Sequence, residues 1–382
     1  MHLPSLMMRL CRAEILGETV DVAGTLSEDA LTALYRYSKS LDVAHIVGSA
    51  LERLGLLPEG ELAEKFRKQT FTAVFRYERM NYEYEQICRT LEAAEIDFMP
   101  LKGSLIRAYY PDPWMRTSCD VDILVHEEEL DRAVEALVSA LGYSADEKRE
   151  FHDVSLHAPG GMHLELHFSL LEGVEKLDRM LSKVWEYALP VEGWKHRYTQ
   201  TNEYLLFHML AHMSYHFIHG GCGVRPLIDL QLLVERMPFD EEILRRLCRE
   251  CSIETFYEQS LRLCRVWFFD AEQDETTKKM EQFLFTGGVY GNKTNQVAVQ
   301  QGRRGRLGFL MFRIFMPREK LQNLYPVLKK HPYLLPFCWV RRWFRLLKKG
   351  TMRSSLNELK TSGQLSREDA DSVDGLLRDL GL

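Results

Sequence analysis

Apolar and polar residues repeat with two different periods along this chain, and the change of period divides it. Over residues 1–92 apolar positions recur at helical spacing, in Leu31-x-x-Leu34-Tyr35 and again through residues 66–91. Leu56-Leu57-Pro58-Glu59-Gly60 separates the two stretches. From about residue 93 the pattern shortens. Residues 96–102 read as a strand that tolerates Pro100, residues 105–110 as a short helix, and residues 119–125 as a strand of alternating carboxylates and apolar side chains. Residues 127–141 return to helical spacing through Leu130, Val134, Leu137, Val138 and Leu141, and Gly142 ends that helix. Residues 151–157 and 162–168 flank Pro159-Gly160-Gly161 and predict a hairpin. Beyond about residue 200 the spacing is helical again. The chain therefore predicts an α+β fold. A helical region at 1–92 and a C-terminal helical domain at 191–382 flank a small mixed-sheet α/β core at 93–190.

The core carries the candidate chemistry. Side chains on a strand alternate between faces, so Asp120 and Asp122 share one face while Val121, Ile123 and Val125 share the other. In Met162-His163-Leu164-Glu165-Leu166-His167-Phe168 the same rule sets His163, Glu165 and His167 against Leu164 and Leu166. If the two strands are neighbours, three carboxylates converge. Such a cluster repels itself and resists burial, so it calls for a cation. Mg²⁺ is the expected ion, since it takes oxygen ligands and shares few carboxylates with substrate phosphates, and a two-ion site is within reach. Gly103-Ser104 opens the short helix after the first strand. The glycine lets backbone approach a ligand, and the serine caps the helix start. Lys102 adds a point charge there, and Arg116 offers a bidentate clamp for a phosphate.

Residues 95–170 resemble the DNA polymerase beta-like nucleotidyltransferase superfamily: a Gly-Ser turn opening a helix, an Asp-x-Asp strand, then a lone carboxylate on a later strand. More narrowly, Leu101-Lys102-Gly103-Ser104, Tyr109-Tyr110-Pro111-Asp112, Arg116-x-x-x-Asp120-Val121-Asp122 and Leu164-Glu165-Leu166-His167 are similar to a bacterial family of nucleotidyltransferases. The likeness continues through His208-x-x-x-His212, Gly223-Val224-Arg225-Pro226-Leu227-Ile228-Asp229 and Tyr325-Pro326. The resemblance implies Asp120 and Asp122 as metal ligands, Glu165 as a third ligand or base, and Gly103 and Ser104 at the triphosphate. It implies Mg²⁺-dependent transfer of a nucleoside monophosphate, read as AMP from ATP, to an acceptor hydroxyl with release of pyrophosphate. A catalytically inactive nucleotide- or RNA-binding protein of the same fold is the alternative. One departure is the gap between Ser104 and Asp120, which is long for the superfamily and inserts residues 111–119 beside the expected triphosphate.

Composition changes this picture little. A hydrophobic content of 46% and an aromatic content of 11% fit a folded globular chain. No apolar run reaches the roughly 20 residues that span a bilayer, and the first residues do not read as a signal peptide. Eight scattered cysteines in a chain this long suggest free thiols in a reducing cytoplasm. Cys248-x-x-Cys251 reads as structural, having no second pair at zinc-finger spacing.

Three C-terminal features remain. His208, His212 and His216 stand four apart on one helix face, as core histidines, a face toward the nucleotide or a metal site. Arg225 and Asp229 are spaced for a structural ion pair, or for contacts to base or acceptor. Residues 301–350 hold thirteen Lys or Arg and one Glu in a chain of net charge −6. That points to an anionic partner (RNA, another polyanion or a membrane surface), while the interleaved aromatics are expected to pack inward.

Overall fold

The computed structural model of the chain describes residues 3–19, 26–146, 149, 151–288, 291–346, 363 and 365–382. The chain forms two compact units, Met1–Tyr215 with Val224–Thr277, and His216–Gly223 with Lys278–Leu382.

The first unit begins with α1 (Leu3–Leu16), α2 (Glu28–Ser40), α3 (Ala44–Arg53) and the long α4 (Glu61–Ala93). Ser27 caps α2 by accepting from the Ala30 amide. The sheet follows, built from β1 (Phe98–Pro100), β2 (Asp120–Val125), β3 (Ser144–Ala145), β4 (Asp153–His157) and β5 (His163–His167). Its strand order is β1-β2-β5-β4-β3. The predicted hairpin is β4–β5, paired antiparallel. Short α5 (Gly103–Ile106) follows β1, and α6 (Leu130–Leu141) follows β2. Gly142, at φ 70°, adopts the left-handed conformation that stops α6.

The strand expected over residues 96–102 contracts to three residues. Proline cannot donate to a ladder, and β1 lies at the sheet edge, where Pro100 is tolerated.

Between β2 and β5 the chain crosses over through α6, β3 and β4, and β2 and β5 run parallel. The strands thus become direct neighbours, Asp120 opposite His163 and Asp122 opposite Glu165. Val121, Ile123, Val125, Val154, Leu156, Leu164 and Leu166 line the apolar sheet face against Ile87 and Leu91 of α4 and Ala133 and Leu137 of α6. Burying each large aliphatic contributes about 1.5–3 kcal/mol, which pins the register. A slip of one residue would turn the carboxylates into this core. Helices α7 (Glu175–Leu181), α8 (Asn202–Ile218), α9 (Arg225–Arg236), α10 (Glu241–Glu250) and α11 (Glu254–Phe269) follow, with β6 (Ala188–Pro190) and β7 (Tyr198–Gln200) pairing between α7 and α8.

The second unit is helical: α12 (Glu275–Gly287, whose first turn belongs to the first unit), α13 (Lys293–Ile314), α14 (Arg318–Leu324), α15 (Val327–Lys330), α16 (Leu335–Leu346) and α17 (Arg367–Asp379). Gly305, at φ 69°, kinks α13. A Cβ on Gly302 would lie 2.7 Å from Ala370 O and from Asp374 Cβ, so α13 and α17 meet at a position that requires glycine. Leu321, Tyr325, Leu328 and Cys338 form a small core. No helix among the described residues is long and apolar enough to cross a membrane. None of the eight cysteines forms a disulfide, and Cys248 and Cys251 are buried thiols whose pKa values are pushed up by burial.

Candidate active site

The polar face of β2 and β5 gathers Asp120, Asp122 and Glu165. The ligand atoms of Asp122, Glu165 and His167 lie within 4.8 Å of one another, and so do those of Asp120, His163 and Glu165. Glu165 belongs to both sets and stands at the centre of the cluster. His167 Nε2 donates to Asp122 Oδ1 at 3.0 Å and lies 3.6 Å from Glu165 Oε2. His163 Nδ1 is 4.0 Å from Glu165 Oε1. A third set, His152, Asp153 and His167, continues the polar face along β4.

The cluster is not purely acidic, contrary to the simplest expectation of three carboxylates waiting for a cation. Burial, then Asp122 and Glu165, push the pKa of Asp120 up, against Lys102 and His163. Burial also pushes Asp122 upward, but Lys102, the His167 hydrogen bond and His212 outweigh it and hold its carboxyl well below the usual range. Burial disfavours a charged His167, but its bonds to Asp122 and Glu165 prevail and raise it to about 9. At neutral pH, protonated His167 and Lys102 supply part of the positive charge. Residue alternation placed His167 on this face, but its role as a counter-charge required the register of β2 on β5.

Lys102 sits between β1 and α5 with φ 37°. A left-handed backbone costs a lysine of order 1–3 kcal/mol, the kind of strain that clusters at functional sites. The adjoining turn is equally constrained. Arg107 Nε donates to Gly103 O at 3.0 Å from behind it. A Cβ on Gly103 would lie 2.5 Å from Arg116 Nη1, so glycine here makes room for a guanidinium.

Arg116 does not hold its fork ready for a phosphate. Its Nε donates to Asp229 Oδ1 at 3.0 Å and its Nη2 to Asp229 Oδ2 at 2.9 Å, while Tyr110 Oη donates to Asp229 Oδ1 at 2.8 Å. Asp229 is buried, and the Arg116 side chain is 11% exposed. Burial works against the Arg116 charge, but Asp229 prevails and raises its pKa. The bidentate edge expected for a substrate is thus taken up within the chain, leaving Nη1 beside Gly103. The expected pairing of Arg225 with Asp229 is replaced as well. Arg225 donates to Thr117 O and lies 3.6 Å from Asp42.

These partners explain the long connection before β2. His45 Nε2 donates to Met115 O at 2.8 Å, Thr117 Oγ1 to Asp42 Oδ2 at 2.7 Å, and Arg107 Nη2 to Ser118 Oγ at 3.0 Å. Residues 110–118 form a strut held by the start of α3 on one side and α9 on the other. Its anchors, His45, Asp42, Tyr110 and Arg107, carry no motif that identifies them in the sequence.

His208 is buried on α8, with Nδ1 3.1 Å from Gln200 Nε2. Burial and then Lys102, His212 and His167 hold its pKa well below the usual histidine value. His212 Nδ1 is 2.7 Å from Glu172 Oε1. Among the described residues, His208, His212 and His216 join no group with metal-binding geometry. Of these, His212 bears on the cluster, helping to hold the Asp122 carboxyl down.

A family model described as an uncharacterised nucleotidyltransferase matches residues 27–269. The chain belongs to this nucleotidyltransferase family. The match spans the whole sheet, α2–α4, the strut and α8–α11, so it contains every side chain of the cluster and its supports. The basic segment lies beyond it. No curated protein and no solved structure matches the chain. Family membership gives nucleotidyl transfer as the general chemistry, and the acidic and histidine groups could hold a metal ion.

Proposed function

We propose that the protein is a nucleotidyltransferase of the DNA polymerase beta-like kind that moves AMP from ATP to an acceptor hydroxyl with release of pyrophosphate. The observation that carries this reading is the pairing of Asp122 with Glu165 across parallel strands, with Asp120 on the same face. Their oxygen donors suit Mg²⁺, and His167 orients Asp122 as a ligand's partner should. Mg²⁺ at Asp120, Asp122 and Glu165 would neutralise the phosphates and lower the pKa of the acceptor hydroxyl, with room for a second ion.

The chain's own groups supply the rest. Lys102 and the Gly103-Ser104 turn hold the terminal phosphates, and Arg116 keeps that turn in place through Nη1. Glu165 accepts the proton of the acceptor hydroxyl. The hydroxyl oxygen bonds to the α-phosphorus as the bond to the bridging oxygen breaks, and pyrophosphate leaves with that electron pair. Most of the acceleration then comes from positioning and charge. The basic residues 301–350 serve an anionic partner.

A second reading is favoured by one observation: Asp122 and Arg116 already have partners in the chain. In that reading the fold binds a nucleotide without turnover. Incubation with ATP labelled at the α-phosphate, Mg²⁺ and host lysate separates the two. Transfer of label, lost in Asp120→Asn, supports the enzyme. ATP binding with no transfer supports the binding protein.

A further inference from the structure

Helices of the second unit turn apolar side chains to solvent where the chain's positive charge is densest. On α16 the buried side includes Cys338 and Arg342, whose Nη1 donates to Arg313 O at 3.0 Å. The outer side is Phe337, Val340 and Phe344, at 66%, 42% and 70% exposure, and Tyr333 precedes them at 73%. Spacings of three and four place the three residues of α16 on one stripe. A helix packed on a core by its apolar face shows the reverse, aromatics inside and arginine outside. The expectation of inward aromatics fails here: Phe309 and Tyr325 are buried, but this stripe is not.

Past its kink, α13 shows the same inversion. Leu307, Met311 and Ile314 recur at spacings of four and three, at 75%, 48% and 45% exposure. The two stripes meet where Trp343 Nε1 donates to Ile314 O at 3.0 Å and Phe315 packs edge-on against Trp343. Exposed Arg341 and Arg345 flank the aromatic stripe.

We propose that this face of the second unit docks on an anionic phospholipid surface, its apolar stripes entering the boundary between headgroups and acyl chains while its arginines and lysines contact lipid phosphates. The aliphatic members Leu307, Met311, Ile314 and Val340 fit a hydrocarbon boundary and offer no ring on which a nucleic-acid base could stack. Exposed Arg341 and Arg345, in a segment whose sequence holds thirteen basic residues and one glutamate over 301–350, complement a negative leaflet and repel a second copy of the same face. No described helix can cross a bilayer, so the association is with its surface. This inference is independent of the nucleotidyl transfer reading.

The test is sedimentation of the full chain with vesicles of phosphatidylcholine, with and without phosphatidylglycerol, alongside tryptophan fluorescence. Binding is expected only with phosphatidylglycerol, with a blue shift of the emission and release by salt. The paired substitutions Phe337→Glu and Phe344→Glu should weaken partitioning at least about tenfold, and so should Arg341→Glu with Arg345→Glu. All four side chains are exposed, so circular dichroism of the variants should match the wild type. Equal sedimentation with both vesicle types, or none with either, would overturn the proposal. So would an unchanged partition in both variants, a single-stranded RNA that binds in place of vesicles, or a concentration-dependent dimer abolished by Phe337→Glu.

Discussion

The polar face of the central sheet and the α13–α16 face of the helical unit both depart from the usual partition of side chains, in opposite directions. On and beside the sheet, charged groups are buried or half-buried and are matched. Asp122 has His167, Arg116 has Asp229, and Asp229 also has Tyr110. In the helical unit, large apolar groups are exposed at helical spacing. Burying charge is costly unless every group is paired, so the sheet must be assembled by many specific partners. Leaving a Phe in water costs stability but demands no partner, so the helical face tolerates change. The first region is specified by the fold, and the second is displayed by it.

That contrast predicts large effects in the sheet and small ones on the helical face. The largest is catalytic: Asp122→Asn should lower Mg²⁺-dependent turnover by about a hundredfold or more, with a circular dichroism spectrum like that of the wild type. Next is stability. Arg116→Ala leaves Asp229 buried without its main counter-charge and should cost about 3–5 kcal/mol in urea unfolding. Gly103→Ala places a methyl group against Arg116 Nη1 and should cost about 1–3 kcal/mol, with weakened ATP binding.

A pH effect follows from His45 and His208, which are buried with lowered pKa values. The unfolded chain binds these protons more readily than the folded one. The stability they confer is therefore present above about pH 6.5 and is lost as pH falls. The urea midpoint should fall between pH 7 and 5 for the wild type, and fall less for His45→Gln. The smallest effect is Phe337→Ser, which should change stability by less than about 0.5 kcal/mol, because the ring is already in water. A loss comparable to that of Arg116→Ala would erase the contrast.

The sheet was largely legible from period-two alternation, because the rule that sorts Val121 from Asp122 also sorts Leu164 from Glu165. The hairpin and the glycine stop of α6 were legible from turn chemistry. What joins the site together was not. Arg116 finds Asp229 across 113 residues, and local spacing suggested Arg225 instead, four positions away. The interleaving of aromatics with basic residues likewise suggested that the rings pack inward, and did not show that Phe337 and Phe344 look outward. That depends on what packs against Cys338 and Arg342, which no local pattern records.

The central claim is that Asp120, Asp122 and Glu165 act as one cation site. Electron paramagnetic resonance of Mn²⁺ titrated into the full chain, with and without ATP, tests it directly. The account predicts Mn²⁺ bound by the wild type, more tightly with ATP, and lost in both Glu165→Gln and Asp122→Asn. Equal Mn²⁺ binding by the wild type and Glu165→Gln would contradict it.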